Sequence, residues 1–211
     1  NLMDWYTGTF ADAISPLAGI RVEYPDSTVT YDSLWDHVAI RAANGKYLTV
    51  HADGTLAADA DAITEDAVFE LQDWGENWQN LYSPKYKKYV RCMEDGKLAL
   101  HQRRIFDWFT HETFRLHDVP DGTVFAEFLD GARMTADADG TISFVQQNTL
   151  TAQSIFQIET VCAGSARASE IAASNDLVIY CTGNHPVQVA KECHDRKTLA
   201  LNVQAGMAEL L

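Results

Sequence analysis

The sequence predicts an α+β multidomain chain: a β domain of threefold internal repetition inserted into a partial α/β sandwich with a parallel sheet. Three observations carry this. One landmark, Asp-Gly, recurs at Asp53-Gly54, Asp95-Gly96 and Asp139-Gly140, 42 and then 44 positions apart. A second, Phe-x-Leu/Ile, recurs at Phe69–Leu71, Phe114–Leu116 and Phe156–Ile158, at intervals of 45 and 42. On both sides of this repetitive stretch the texture changes to helix-like and fully apolar segments.

Residues 1–35 form the first flanking piece. Ser15-Pro16 reads as an N-cap followed by proline at the first helical position, opening a helix over "PLAGIRVEY". The run "STVTY" at 27–31 follows, with the β-branched residues of a strand.

Residues 36–160 hold the repeats. "GKYLTVHADGTLAAD", "KKYVRCMEDGKLALH" and "ARMTADADGTISFV" share an order: apolar pair, short turn, Asp-Gly, then Leu or Ile. Two landmarks with one period mark a repeat architecture. Asp-Gly between alternating apolar residues predicts hairpins with type I′ turns, whose two central positions need positive φ. Three units of about four short strands close into a β-trefoil. A three-bladed propeller would leave its blades unable to bury their faces.

Residues 161–211 form the second flanking piece. "SARASEIAASN" predicts a short Ala-rich helix and "DLVIYCTG" a buried strand. Helix followed by apolar strand is the rhythm of a parallel sheet. The strand at 177–181 is therefore expected at the centre of a sheet, parallel to one near 28–31.

Charge narrows the function. A formal net charge of −14 over 211 residues repels phosphate backbones and anionic lipid, so neither nucleic acid nor a membrane surface is an expected partner. Neutral ligands such as sugars suit it. No stretch approaches 18 apolar residues, and no signal peptide is legible. Cys92, Cys162, Cys181 and Cys193 form no CxxC pair and read as reduced thiols, which favours a cytoplasmic compartment, although the opening without Met and the apolar ending "AGMAELL" suggest a piece of a longer chain.

Two resemblances sharpen these expectations. "VAIRAANGKYLTV" followed by "FEL" resembles the fascin-like branch of the trefoil fold. The flanks, "DWYTGTFADAISPLAGI" at 4–20 and "DLVIYCTGNHPVQVAKECHDRKTLALNVQAGMAELL" at 176–211, resemble the C-terminal α/β-sandwich domain of family 3 glycoside hydrolases. That family implies retaining hydrolysis of β-glycosides such as β-glucosides or β-xylosides, by two carboxyl groups about 5–5.5 Å apart. Its nucleophilic Asp belongs to a preceding TIM barrel, which becomes an expected partner domain, and this chain alone is expected to be inactive.

The resemblance places Glu192 at the catalytic acid/base position, with Cys193 where glycine is usual. Asp195 and Arg196 are expected to brace its loop or touch substrate, and Asp4, Trp5 and Tyr6 either to line a sugar subsite or to pack in the interior as part of the N-terminal segment. His185, Cys193 and His194 match no zinc spacing, so no metal or other cofactor is expected. Gln72-Asp-Trp74 is similar to the Gln-x-Trp of ricin-type lectins but occurs once, which leaves Trp74, Trp78 and Trp108 as core, interface or sugar-binding residues. The alternative reading of the chain is a non-catalytic carbohydrate-binding trefoil. A cytoskeletal role is disfavoured by the single trefoil and by a charge that opposes an acidic filament.

Overall fold

A computed structural model describes residues 12–75, 77–105 and 110–181. Twelve strands dominate it. The first unit comprises β1 (Asp36–Ala42), β2 (Tyr47–Val50), β3 (Leu56–Ala60) and β4 (Phe69–Asp73). The second comprises β5 (Trp78–Ser83), β6 (Lys88–Cys92), β7 (Leu98–Leu100) and β8 (Thr113–Val119). The third comprises β9 (Thr123–Glu127), β10 (Arg133–Ala136), β11 (Ile142–Val145) and β12 (Phe156–Cys162).

The first and last strands of each unit close a ring. β1 pairs with β4, β4 with β5, β5 with β8, β8 with β9, β9 with β12 and β12 with β1, all antiparallel. A sheet closed in this way has no free edge. The hairpins β2–β3, β6–β7 and β10–β11 project from one end. This is a β-trefoil: a six-stranded barrel capped by three hairpins.

Phe69, Phe114 and Phe156 begin or nearly begin the fourth strand of each unit and are all buried, at 0, 8 and 2% exposure. They share one core with Val38, Leu48, Leu81, Val90, Met134 and Ile142. Cavities inside the barrel measure only about 10 Å³, room for roughly one water molecule. No ligand enters such a core.

The Asp-Gly turns differ from the type I′ expectation. Of each pair only glycine has positive φ: Gly54 at 87°, Gly96 at 81° and Gly140 at 91°. In the first hairpin the Gly54 N–H donates to His51 O at 2.9 Å and the His51 N–H to Thr55 O at 2.8 Å. This encloses three loop residues, a turn closed by a left-handed glycine. The other two hairpins repeat it. Asp53, Asp95 and Asp139 keep ordinary backbone and accept, through Oδ1, the N–H two residues on. Side-chain capping replaces the second positive φ.

These glycines also interlock the units. Gly54 O accepts from Leu100 N, Gly96 O from Phe144 N and Gly140 O from Ala58 N, at 2.7–2.8 Å. Each hairpin tip is thereby held by the next hairpin around the pseudo-threefold axis.

The flanks overturn the predicted α/β sandwich. The helix from Ser15 forms as α1 (Pro16–Glu23), with the Ala18 N–H donating to Ser15 Oγ, and α2 (Gly164–Ser174) matches the Ala-rich segment. Neither expected parallel strand exists: 27–31 and 177–181 belong to no strand. Leu177 is 75% and Ile179 57% exposed, and Cys181 is exposed too. An apolar run reads as a buried strand, yet a strand needs a neighbour to satisfy its backbone, and the described flanks supply none. Among the described residues the chain is mostly β, with two short α-helices. Among the described residues no helix is long and apolar enough to cross a membrane, and Cys92, Cys162 and Cys181 are free thiols.

The two flanks do meet, through a polar latch. Arg167 on α2 donates to both carboxylate oxygens of Asp32, at 3.0 and 3.1 Å, to Trp35 O at 2.7 Å and to Cys162 O at 3.3 Å. The Gly164 N–H donates to Asp36 Oδ1 at 2.7 Å. A side chain at Gly164 would run into Leu34 O, so only glycine lets helix and strand entry approach this closely.

Candidate functional site

With the core closed, side chains able to meet a ligand stand on the outside of the barrel. Strand alternation selects them: since Phe69 and Leu71 face inward, Glu70 and Gln72 face outward. The same step after the other two phenylalanines gives Arg115 and His117, then Gln157 and Glu159. The trefoil thus presents three pseudo-equivalent outer faces with different chemistry.

The first face is polar and aromatic. His37 on β1, Glu70 on β4, Tyr82 on β5 and Tyr89 on β6 are successive cross-strand partners in one row. Tyr89 Oη donates to Gln72 Oε1 at 3.0 Å, and Gln72 Nε2 donates to Glu70 Oε2 at 3.1 Å. Ser33 Oγ donates to Glu70 Oε1 at 2.7 Å, with His37 Nε2 3.8 Å from the same oxygen. Glu70 and Gln72 are buried under this network although they point away from the core.

Tyr82 and Tyr89 pack edge to face, ring centroids 5.0 Å apart. Burial first, and then the Glu70 carboxylate, push both phenols above the ordinary range. They stay protonated at neutral pH and are able to donate. The exposed Tyr31 stands close enough for its phenol to weigh on both. Chemically this face offers a carboxylate, an amide, an imidazole and tyrosine rings, fixed by their own hydrogen bonds.

The third face holds Arg41 on β1 beside Tyr47 on β2. Tyr47 Oη reaches both oxygens of Glu159, at 3.0 and 3.1 Å. Tyr47 and Glu159 occupy the places that Tyr89 and Gln72 hold on the first face. The second face carries Arg115 and Arg133 on either side of Glu127.

The sequence-predicted site residues fare differently. Glu192, Asp195, Arg196, Trp5 and Tyr6 lie outside the described residues, as do Asp4, His185, Cys193, His194 and Trp108. Gln72 enters the first face. Trp74 packs against Trp35, ring centroids 5.3 Å apart, and Trp78 is buried beneath the Arg115 guanidinium, 4.1 Å above its ring. Both pack against a neighbouring side chain. Glu70, Tyr82 and Tyr89 escaped the sequence reading, although Glu70 sits one step from a repeat landmark and Tyr89 inside a repeated Lys-Tyr pair; Tyr82 carries no such mark.

Comparison with known proteins agrees with the barrel. A Fascin domain model matches residues 23–102, which span the first unit and most of the second. The designed threefold-symmetric protein ThreeFoil is similar in structure, with a TM-score of 0.52 and 13% identity over 59% of this chain and 99% of its own. A GlcNAcα1-4Gal-releasing endo-β-galactosidase from Clostridium perfringens is similar at TM-score 0.52 and 13% identity, over 60% of this chain and 32% of that enzyme. The matched part of the chain spans about a third of that enzyme's length. No curated protein matches the chain. Fold and comparisons together define a β-trefoil with a Fascin-domain match, and no comparison points to a family 3 glycoside hydrolase.

Proposed function

We propose that the trefoil is a carbohydrate-binding module that takes neutral glycans on its first outer face. The observation that carries the reading is the row His37–Glu70–Tyr82–Tyr89 with Gln72 beside it. Sugar hydroxyls need donors and acceptors at fixed positions, and the apolar side of a sugar ring needs an aromatic one. Tyrosine supplies both from one rigid side chain. The closed core and the shallow outer faces suit binding better than chemistry requiring enclosure. Occurrence of a similar fold within an endo-β-galactosidase is consistent with a trefoil carried by a glycosidase. Calorimetric titration with neutral β-linked gluco- and xylo-oligosaccharides tests the reading. Saturable binding that weakens at least tenfold in Tyr82→Ala supports it; no binding by the folded chain removes it.

A second reading rests on the sequence of the flanks. The blocks at 4–20 and 176–211, with Glu192, Asp195 and Arg196 in a Glu-x-x-Asp-Arg motif, support a chain that forms part of a retaining β-glycosidase. Glu192 would then donate the proton to the leaving oxygen, with the nucleophile on another domain of the same polypeptide. In the full-length protein, Glu192→Ala should spare activated aryl glycosides, whose departure needs no proton, and azide should restore deglycosylation. Equal losses on all substrates without azide rescue would make Glu192 a structural residue.

A further inference from the structure

The second outer face differs from the first in having donors that its own network leaves unused. Trp78 on β5, Arg115 on β8, Glu127 on β9, Arg133 on β10 and Val145 on β11 are successive cross-strand partners in one row. Four inter-strand spacings make that row about 19 Å long, the reach of a short oligosaccharide. His117 pairs with Phe125 two residues along the same two central strands, on the same face, and their rings stack at 4.6 Å and 11°.

Both guanidiniums lie over aromatic rings. Arg115 lies 4.1 Å above Trp78, and Arg133 lies 5.3 Å from the Phe125 centroid. Among the described residues, Arg115 Nε, Arg133 Nε and Nη1, and His117 Nε2 are shielded from solvent and have no hydrogen-bond partner. Glu127 stands between the two arginines in the register but comes no nearer than 3.9 Å to His117 Nε2. Two permanent positive charges therefore face one carboxylate. A donor kept from water without an acceptor is costly, and an acceptor brought by a ligand relieves it. Guanidinium is also the side chain best matched to a carboxylate.

We propose that this face is a second carbohydrate subsite, selective for a sugar acid, whose carboxylate is received by Arg115 and Arg133. The proposal rests on the carbohydrate-binding reading of the trefoil but uses a different face. Net charge limits the ligand: a chain at −14 repels a polyanion, whereas one carboxylate on an otherwise neutral oligosaccharide meets a local surplus of positive charge, two arginines against Glu127. The first face lacks this selectivity because its Glu70 carboxylate opposes an anion.

The test titrates the chain with an oligosaccharide ending in glucuronate or galacturonate and with its neutral counterpart of the same linkage. The acid should bind at least tenfold tighter. Arg115→Met and Arg133→Met, which keep an apolar side chain against the rings, should each remove that preference, while Tyr82→Ala should weaken the neutral sugar and leave the affinity for the acid in place. Because either arginine variant could fold poorly, a second measurement uses the wild-type chain: the Nε–H resonances of Arg115 and Arg133 should shift with the acid and not with the neutral sugar. Equal affinity for both sugars, or unmoved Nε–H signals, would overturn the sugar-acid assignment and leave the neutral-glycan reading standing. Binding of the acid without the neutral sugar would overturn the first-face reading instead. Competition by inorganic phosphate at the concentration of the sugar acid would reduce the site to a general anion site and also overturn the proposal.

Discussion

Arg167 and Asp32, 135 residues apart, form a two-pronged ion pair where the chain enters and leaves the barrel. The side chains are 14% and 23% exposed, so water screens the pair only in part. The same guanidinium also binds two backbone carbonyls. One side chain thus joins the flank before β1 to the helix after β12.

Arg167→Ala should destabilise the chain by about 2–3 kcal/mol, the scale of hydrogen bonds to a charged partner. The effect should depend on pH. Burial alone would raise the Asp32 carboxyl, but Arg167 and the Leu34 N–H outweigh it and hold it below the ordinary range. A depressed carboxyl contributes stability above its unfolded value near about 4, and that contribution is lost as pH falls through the folded value. Urea unfolding at pH 7 and pH 3 should show the wild-type advantage over Arg167→Ala shrinking at the lower pH. An advantage unchanged by pH would mean that the pair is not what stabilises the latch.

The interlocked hairpins predict a difference between chemically identical substitutions. An added Cβ at Gly140 would lie 2.8 Å from Ala58 O, and at Gly96 2.8 Å from Phe144 O. At Gly54 the nearest atom is Leu100 Cβ at 3.8 Å. All three carry the left-handed backbone penalty, about 1–2 kcal/mol for alanine. Gly96→Ala and Gly140→Ala add a backbone collision and should cost at least about 1 kcal/mol more. Thermal unfolding of the three variants should therefore separate Gly54→Ala from the other two.

Phe69, Phe114 and Phe156 occupy corresponding places in one core. Each should cost about 3–5 kcal/mol when truncated to alanine. Chemical unfolding that finds one of them much below this range would show that its unit contributes little to the shared core.

What could be read in the sequence was what repetition and local chemistry encode. Asp-Gly and Phe at one period identify three units, and Ser15-Pro16 marks the start of α1. Misreadings arose where a neighbour decides. Leu177–Cys181 has the composition of a buried strand, yet nothing within the run says whether another strand lies beside it. Turn geometry was missed for a local reason: a left-handed glycine satisfies both the type I′ turn and the three-residue loop, and only the hydrogen bond from His51 to Thr55 distinguishes them. The outer faces were legible by position, one step past each phenylalanine. Their chemistry was not, because Glu70 meets Tyr82, and Tyr82 meets Tyr89, only through the barrel's register.

The network on the first face predicts an alkaline signature. Tyr89 is held above the ordinary phenol range chiefly by burial, with the Glu70 carboxylate adding to the rise. A raised folded value contributes stability that is complete below the unfolded phenol value, about 10, and that is lost as pH rises beyond it. Tyr89→Phe should cost about 1 kcal/mol at pH 7, since Gln72 Oε1 loses its donor. Above pH 10 the wild type should weaken faster than the variant, because unfolding releases a Tyr89 proton only in the wild type. The other raised phenols, Tyr31, Tyr47, Tyr82 and Tyr86, act in both proteins and largely cancel in the comparison. Urea unfolding of both from pH 7 to pH 11 should show the two stability curves converging. Parallel curves would mean that Tyr89 ionises as freely folded as unfolded, and that the Tyr89–Gln72–Glu70 chain does not fix the first face.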